Sequence, residues 1–390
     1  MRQLFGISLI LLLLNLVLAC TEGKAVTGKA QGDTVGFAYA QNIVVVRYAS
    51  YTKVSLVDPW NDGHTLCTYV LVADSIPQED LPGCAEGEVV VRVPLKKCVV
   101  FNTAHASLLQ MLGADSAIRG VCDLRYMQLP EVHRRVKADG NKNADAVADC
   151  GDGMSPDIEK IIELEPDALL LSPFENSGSH GELGKLGIPL RECADYMETS
   201  ALGRAEWMRF YGMLFGCESV ADSLFRVVDS CYCALREKAL DAASLRRQPV
   251  KVLTERLTQG TWYVPGGQSS MSKLLQDAGA CYAWADDSHG GSLPLTFESV
   301  LDKSADARLW VFNYIGEEPL TYSRLQAEYD GYAQFRAFKD RNVWYVNSLS
   351  VPYFEEVSFR PEWLLRDYVT LLCPELRLGS PRYLKPLKTD

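Results

Sequence analysis

The sequence begins to alternate between short strands and helices at Val99-Val100-Phe101-Asn102-Thr103-Ala104-His105-Ala106-Ser107-Leu108-Leu109. The first three of these residues predict a buried strand, Asn102 and Thr103 predict a loop, and residues 104–112 predict a helix that ends at Gly113. A short apolar strand that passes directly into a helix is typical of parallel α/β folds. The segment therefore predicts the α/β class for the residues that follow it.

The same unit recurs in both halves of the chain. Ser155-Pro156 predicts the start of a helix, residues 168–171 predict the next strand, and the helix between them is expected to bury Ile158, Ile161, Ile162 and Leu164. In the second half, a helix over 297–303 leads into a strand over 309–312. We therefore expect two α/β lobes with parallel sheets and a cleft between them.

Residues 201–243 lie between the two halves and contain no proline. Five side chains recur there at helical spacing and are predicted to form the buried face of an amphipathic helix of about 24 residues: Val220, Leu224, Val227, Cys231 and Leu235. Such a helix either bridges the two lobes or belongs to the core of one lobe. Periodicity does not separate these alternatives.

Upstream of the α/β region, residues 34–96 carry short β-branched runs separated by turn residues. The runs are 43–46, 53–57, 68–72 and 89–93. They predict a small antiparallel β extension.

The chain begins with the features of an export signal. Arg2 is followed by an apolar run that ends in Leu16-Val17-Leu18-Ala19-Cys20, which resembles the cleavage site of bacterial lipoproteins. We predict a signal peptide over 1–19, lipidation of Cys20 and a flexible tether over 20–33. An ordinary secretory signal or a short anchor helix is the alternative, although the run falls short of the ~20 residues that a membrane span needs. The expected location is the periplasmic side or the cell surface.

Composition narrows the class of partner. The net charge of -11 across 390 residues, without a basic run, argues against a nucleic-acid partner. The twelve cysteines are spread over a long chain, so isolated buried thiols are expected rather than a disulfide framework. We predict a monomer.

Four further segments of the sequence, taken with residues 99–109, resemble a known protein family. They are Glu163-Leu164-Glu165-Pro166-Asp167-Ala168-Leu169-Leu170-Leu171, Leu186-Gly187-Ile188-Pro189, Thr261-Trp262-Tyr263-Val264-Pro265-Gly266-Gly267, and Phe338-Lys339-Asp340-Arg341-Asn342-Val343-Trp344-Tyr345-Val346. With residues 99–109, they resemble the substrate-binding proteins of ABC importers for iron chelates, haem and cobalamin, also called helical-backbone metal receptors. The resemblance divides the chain into an N-terminal lobe over 97–200, a connecting helical segment over 201–243, a C-terminal lobe over 244–378 and a tail over 379–390.

This resemblance implies a function and partners. Two rigid lobes would hold a small-molecule metal complex between them and pass it to a membrane permease with its ATPase. An acidic side chain on each lobe would meet the permease, and the candidates are Glu175 or Glu182 on the first lobe and Glu298 on the second. The cargo remains open among ferric siderophore, haem and cobalamin, and no intrinsic cofactor is expected.

Loops at the carboxyl ends of parallel strands face the crevice of such lobes, which selects candidate binding residues. Large planar cargo also needs aromatic stacking area. The candidates from the loops are Asn102, Thr103, His105, Phe174, Glu175, Arg256, Asn313, Tyr314 and Asn347, and the aromatic candidates add Trp262, Tyr263 and Tyr353.

Histidine is the natural ligand if the cargo presents an iron atom. His180 and His289 lie in Gly/Ser-rich loops, one in each half, and are candidates for a shared metal ligation, although a loop histidine is commonly just solvated. An anionic ferric siderophore would instead favour Arg256 and Arg360.

Two other functions are weighed against the importer hypothesis. Chelatases share a two-lobed α/β plan, but the sequence has no Gly-x-Ser-x-Gly, His-Glu-x-x-His or phosphate-loop motif, and we predict no catalytic residue. A lipoprotein that captures haem or corrinoid without an ABC permease is the third hypothesis.

Overall fold

A computed structural model describes residues 32–61, 63–137, 145–173 and 181–389. The predicted signal peptide, Cys20, most of the tether, and the candidates Phe174, Glu175 and His180 lie outside the described residues. Within these ranges, no helix combines the length and apolar character needed to cross a membrane.

The N-terminal extension is a five-stranded sheet with its strands in sequence order. The prediction of an antiparallel element is wrong for its last pair, because β4 and β5 run parallel. The connection over 74–87 is long enough to carry the chain back to the same end of the sheet, as a parallel pair requires. The strands are β1 (Asp33–Val35), β2 (Ile43–Arg47), β3 (Thr52–Val57), β4 (Thr65–Ala73) and β5 (Glu88–Val93).

The extension is held to the helices that follow the first lobe by hydrogen bonds and aromatic packing. The buried carboxylate of Glu206 accepts hydrogen bonds from the backbone N–H groups of Ala38, Tyr39 and Ala40, at 2.9, 2.8 and 3.0 Å. On the sheet itself, the ring of Tyr69 stacks on Phe210 with the centroids 6.3 Å apart. The extension therefore braces the connecting segment and does not line the crevice described below.

The first lobe contains a parallel sheet in the order β12-β11-β6-β7-β8. Its central strands are buried on both faces, which explains their unbroken apolar sequences. This order confirms the predicted α/β class. The strands are β6 (Cys98–Val100), β7 (Ile118–Val121), β8 (Ala148–Asp149), β11 (Ala168–Leu171) and β12 (Leu190–Glu192); the hairpin strands are β9 (Gly151–Asp152) and β10 (Ser155–Pro156); the helices are α1 (Thr103–Met111), α2 (Pro130–Lys137), α3 (Ile158–Glu163) and α4 (Glu182–Lys185).

Helix α3 begins later than predicted. Ser155 and Pro156 pair with β9 in the hairpin, and Asp157 is the N-cap, its Oδ1 accepting from the N–H of Lys160 at 3.1 Å. The helix then has six residues, too few to bury all the predicted positions. Ile161 is buried, whereas Ile162 is exposed, so its assignment to the inner face was wrong.

The connecting segment contains three helices: α5 (Ala201–Glu206), α6 (Met208–Phe215) and the 27-residue α7 (Glu218–Ser244). Helix α7 packs against α6 on one side and against a C-terminal helix of the second lobe on the other. Of the predicted buried face of α7, Leu224 and Leu235 are partly buried and pack against the core, whereas the other three positions are wrong by one residue. Val220, Val227 and Cys231 are exposed, and the buried side chains are Ala221, Phe225, Val228, Tyr232 and Ala239.

The second lobe has a sheet in the order β16-β13-β18-β19-β20, parallel except for β20. A smaller antiparallel sheet, β14-β15-β17, packs beside it. The strands are β13 (Val250–Thr254), β14 (Leu257–Thr258), β15 (Thr261–Pro265), β16 (Ala280–Tyr282), β17 (Ser292–Leu295), β18 (Leu309–Tyr314), β19 (Val343–Asn347) and β20 (Lys385–Pro386); the helices are α8 (Ser270–Asp277), α9 (Phe297–Ser304), α10 (Tyr322–Glu328), α11 (Arg336–Lys339), α12 (Tyr353–Glu356) and α13 (Pro361–Leu372).

Residues 379–389 are part of the second lobe rather than a free tail. The buried carboxylate of Asp367 accepts hydrogen bonds from the backbone N–H groups of Arg382, Tyr383 and Leu384, at 2.6, 2.7 and 3.1 Å. Strand β20 then pairs with β19. The predicted tail therefore completes the edge of the sheet.

Candidate functional site

A cavity of about 630 Å³ opens between the two lobes, and we call it the cleft. Its first wall follows the carboxyl ends of β6 and β7, and its second wall is formed by the start of α8, the start of β17, the end of β18 and the helix α12. This is where parallel strands place their binding loops. The cleft is lined by Phe101, Asn102, Thr103, Ala104, Asp123, Tyr126, Met127, Arg204, Ser270, Met271, Ser292, Asn313, Tyr353, Phe354, Val357 and Ser358.

A second cavity, of about 540 Å³, shares Phe101, Asn102 and Asp123 with the cleft and extends it along the first lobe towards Met154 and Leu171. A third, of about 450 Å³, lies at the opposite, amino ends of the first lobe's strands, against the extension. The first two form one continuous groove, and the third is separate from it.

Four of the predicted binding residues lie together in the cleft: Asn102, Thr103, Asn313 and Tyr353. Asn102 caps α1, because its Oδ1 accepts a hydrogen bond from the N–H of Ala104 at 2.8 Å. Thr103 Oγ1 donates to Glu355 Oε1 at 2.8 Å. The strand-end rule thus selects Asn102, Thr103 and Asn313, which line the cleft, and their contact with cargo stays a prediction.

Glu355 joins the two lobes. This buried carboxylate lies on α12 of the second lobe, and its Oε1 accepts from both Thr103 Oγ1 and the backbone N–H of Gln128, the latter at 2.7 Å. Sequence reasoning missed this role. The only signal was the segment between β19 and α13, where Tyr353-Phe354-Glu355-Glu356 places two carboxylates beside two aromatic rings.

Glu255 lies in the second lobe behind the cleft wall, beside a small cavity that shares Met271, Asn313 and Tyr353 with the cleft. It directly follows β13 with a φ of 60°, and Asn313 Nδ2 donates to its Oε1 at 3.4 Å. Burial raises the pKa of this carboxyl to about 7, against the opposing effects of a hydrogen bond from Asn313 and the charge of Arg256. A narrow cavity of about 10 Å³ lies between Glu255, Asn313 and Tyr353.

Arg204, on α5, is a cleft residue that strand-end reasoning missed because no strand precedes it. Its Nε donates to Asp195 Oδ2 at 3.2 Å. Burial acts to raise the pKa of Asp195, but its partners His105 and Arg204 hold that pKa below the usual value. An ionised, buried carboxylate therefore orients the arginine.

His105 belongs to this buried network and not to the cleft wall. Its Nε2 lies 2.8 Å from Asp195 Oδ1, which also accepts from the hydroxyl of Tyr211 at 3.1 Å. The helix α1 turns its third residue inward, away from the cavity. His105 is consequently unavailable to cargo in this arrangement.

Trp262 is also unavailable, since it is 0% exposed and packs against Trp310 with ring centroids 5.8 Å apart. Its Nε1 donates to the carbonyl oxygen of Thr254 at 2.9 Å. Tyr263, the next residue of β15, is 48% exposed but does not line the cleft. The pair therefore does not form a stacking wall.

Three further candidates brace the second lobe instead of lining the cleft. Tyr314 is buried and its hydroxyl donates to the carbonyl of Glu318 at 2.9 Å, while Asn347 Nδ2 donates to the carbonyl of Gly316 at 2.7 Å. Arg256 pairs with Glu328 and lies over the rings of Phe312 and Tyr314.

His289 has an exposed side chain, and its Nδ1 lies 2.9 Å from Asp287 Oδ1. It does not line the cleft, and the described ranges contain no cluster of three or more His, Cys, Asp or Glu side chains suited to a metal ion. Of the proposed docking carboxylates, Glu182 pairs with Lys185 at 2.7 Å at the edge of the groove, and Glu298 is exposed in the first turn of α9.

Residues 99–348 match the family of periplasmic binding proteins. An uncharacterized lipoprotein of Methanocaldococcus jannaschii is 23% identical over 361 residues, which cover 87% of this chain and 82% of that protein.

Two solved structures illustrate the likeness in fold. A periplasmic haem-binding protein from Pseudomonas aeruginosa aligns over 76% of this chain and 96% of its own, with 16% identity and a TM-score of 0.55. The petrobactin-binding protein YclQ of Bacillus subtilis aligns over 73% of this chain and 94% of its own, with 19% identity and a TM-score of 0.52.

The matched region begins in the first strand of the first lobe and ends just after β19 of the second, so it spans both walls of the cleft. It covers more than half of the chain and confirms the family that the sequence resembles. With two parallel α/β lobes facing a common cleft, this chain belongs to the family of periplasmic binding proteins.

Proposed function

We propose that this protein captures an iron complex, either a ferric siderophore or haem, or cobalamin, and delivers it to an ABC importer. The observation that carries the proposal is the cleft of about 630 Å³ between the carboxyl ends of two parallel sheets. Cavities of several hundred Å³ with few, well-placed polar groups are typical of small-molecule sites.

The lining of the cleft supports a large, partly apolar cargo. Phe101, Tyr126 and Phe354 present ring surface, and Met127 and Met271 add thioethers that adapt to irregular shapes. Asn102 and Asn313 supply polar atoms on opposite walls. Because the adjoining cavity continues the groove, cargo larger than the cleft itself has room along the first lobe.

Delivery at a membrane fits the proposed lipidation of Cys20, and a relative that carries the name lipoprotein supports it. A lipid on Cys20 and the tether after it would hold the lobes near the bilayer without crossing it. Glu182 on the first lobe and Glu298 on the second are proposed to meet the permease.

Isothermal titration of the purified mature chain with haemin, cyanocobalamin, a ferric tris(catecholate) and a ferric tris(hydroxamate) tests the proposal. One probe is expected to bind with micromolar or lower Kd. Phe354→Ala should weaken that binding about tenfold or more, through loss of stacking area in the cleft. Tyr263→Ala is the matched control, because this equally exposed ring lies outside the cleft.

Binding of none of the four probes by the wild-type chain would contradict the proposed cargo class. An equal loss in Phe354→Ala and Tyr263→Ala would place the binding site elsewhere. Uptake of the bound probe by cells with and without the chain then tests delivery.

A further inference from the structure

We propose that the cavity of about 450 Å³ between the extension and the first lobe is a second binding site, for a small organic anion that carries a carboxylate or a phosphate. The site is separate from the cleft, and the inference does not depend on the proposed cargo. Most of its lining precedes residue 99, where the match to the family begins. The site is therefore a feature that the extension adds to the family fold.

Three parts of the chain meet at this cavity, which we call the extension cavity. The extension contributes β5 and the connection before it, residues 94–96 link the two sheets, and the first lobe contributes Asp167, just before β11, and Arg191 of β12. An occupant would contact the extension and the first lobe at once. Small-molecule sites occur preferentially where two structural units meet.

The first reason for an anionic occupant is that the charge of Arg92, on the extension side, meets neutral acceptors. Its Nη1 donates to the carbonyl oxygens of Asp74 and Ile76 at 3.3 and 2.7 Å, and its Nη2 donates to Gln78 Oε1 at 3.2 Å. None of the acceptors in these bonds carries a charge. The bonds hold the guanidinium at the cavity wall, so it loses little freedom when it binds an anion.

The second reason is a buried cation on the first-lobe side. Arg191 is only 2% exposed, and its guanidinium lies over the ring of Tyr69, 5.3 Å from the centroid. Burial lowers the pKa of Arg191, because the charged form has lost water around it. An oxyanion in the adjoining cavity would add to the stabilisation of this charge.

The third reason is that both carboxylates of the lining are already engaged. Asp74 pairs with Lys96, whose hydrogen bond and charge, followed by the charge of Arg92, hold the pKa of Asp74 below its ordinary value. Asp167 Oδ2 accepts from the backbone N–H groups of Lys96 and Lys97 at 2.8 and 2.9 Å. Three cationic side chains thus line the cavity against two anionic ones, in a chain whose net charge is -11. A local excess of positive charge selects anions.

The rest of the lining is mostly apolar and consists of Leu81, Val90, Pro94, Leu95 and Pro189, with Gln78 as the polar exception. Apolar surface gains from contact with a carbon body and gains nothing from a hydrated inorganic ion. The cavity therefore suits an anion that carries a small apolar group.

Isothermal titration of the purified mature chain with benzoate, phenyl phosphate and benzamide tests the need for charge, because benzamide has the shape of benzoate without its charge. We expect at least one of the two anions to bind with a submillimolar Kd. Benzamide should bind at least about tenfold more weakly, the usual scale for a charge-assisted contact. A preference between the two anions identifies the carboxylate or the phosphate as the group that the site recognises.

Hydrogen exchange followed by mass spectrometry locates the bound anion. Binding should slow amide exchange over residues 74–78 and 190–192, which border the extension cavity, and leave residues 102–104 of the cleft wall unchanged.

Arg92→Gln removes one cation of the lining and should weaken anion binding about tenfold or more. Arg47→Gln is the matched control, because Arg47 also lies on the extension but pairs with Glu218 outside the cavity. It should retain the affinity of the wild type. If Arg92→Gln fails to fold because the connection over 74–78 loses its donor, Lys96→Gln carries the expectation of weaker binding, since the side chain of Lys96 is 66% exposed.

Four results would overturn the inference. Neither anion binds at millimolar concentration, benzamide binds as tightly as benzoate, exchange slows over 102–104 instead of 74–78, or Arg92→Gln and Arg47→Gln weaken binding equally. The last result would mean that the net charge of the chain, rather than the extension cavity, attracts the anion. All four leave the proposed function of the cleft standing, because that function is tested with the metal complexes.

Discussion

At the scale of single residues, neighbouring side chains in β15 show why two aromatic residues in succession do not make one wall. Successive residues of a strand point to opposite faces. Trp262 and Val264 are buried, whereas Tyr263 between them is exposed. This alternation of buried and exposed side chains can be predicted for any strand from its sequence. It predicts that only one of Trp262 and Tyr263 faces the core.

Glu255 offers a prediction that depends on pH. Burial raises its pKa in the folded chain to about 7, above the ordinary value of 4.5. Between these two values the folded chain holds a proton that the unfolded chain has released, so the free energy of unfolding falls as the pH rises through this interval. Above about pH 7 the cost of the buried charge is fully present.

Glu255→Gln removes this titration. The free energy of unfolding of the variant minus that of the wild type should therefore be about 2 kcal/mol higher at pH 8 than at pH 4.5. Urea denaturation at both pH values measures the difference. Glu298→Gln, which removes an exposed carboxyl group, serves as the control for the loss of one glutamate charge. If Glu255→Gln changes the free energy of unfolding equally at both pH values, burial does not raise the pKa of Glu255 as proposed.

At the scale of elements, α7 shows what periodicity predicts and what it leaves open. The predicted stripe and the observed one have the same helical spacing but differ by one residue in phase, as Val220 and Val227 on the surface and Ala221 and Val228 in the core illustrate. Periodicity fixes the spacing of a buried face. The phase is decided by the neighbours, here α6 and α13, whose surfaces are not visible in the sequence of α7.

The docking of the extension on α5 gives a prediction at the same scale. Glu206→Ala deprives the N–H groups of Ala38, Tyr39 and Ala40 of their shared acceptor. We expect the free energy of unfolding to fall by about 2–4 kcal/mol and amide exchange at Tyr39 and Ala40 to become faster, because the buried N–H of Ala40 and the N–H groups of Ala38 and Tyr39 lose a charged acceptor. Hydrogen exchange followed by mass spectrometry or NMR measures both.

Glu218→Ala is the control for this prediction. Glu218 pairs with Arg47 of the extension, but both side chains are about half exposed. A surface ion pair of this kind contributes about 1 kcal/mol or less. If both variants leave the exchange of Tyr39 and Ala40 unchanged, Glu206 does not hold the extension in place.

At the scale of the whole molecule, the sequence predicts the two lobes and the edge of each sheet that forms the cleft. It does so because strand and helix patterns carry topology, and parallel topology places the loops. The sequence did not predict the roles of Arg204 and Glu355, because neither residue directly follows a strand. Their positions depend on how the connecting segment and α12 pack across the lobes, which is a property of the assembled fold.

Glu355 makes the relation between the lobes testable. Its Oε1 holds Thr103 Oγ1 and the Gln128 N–H, so one buried side chain of the second lobe fastens two points of the first. Glu355→Ala should speed amide exchange at Gln128 and weaken cargo binding about tenfold, since the cleft walls lose a shared contact. Glu356→Ala is the matched control, because Glu356 bonds Arg382 and Tyr383 within the second lobe. If exchange at Gln128 responds equally to both variants, the effect is a general loss of stability. A selective response to Glu355→Ala identifies Glu355 as the contact that holds the lobes at a fixed angle.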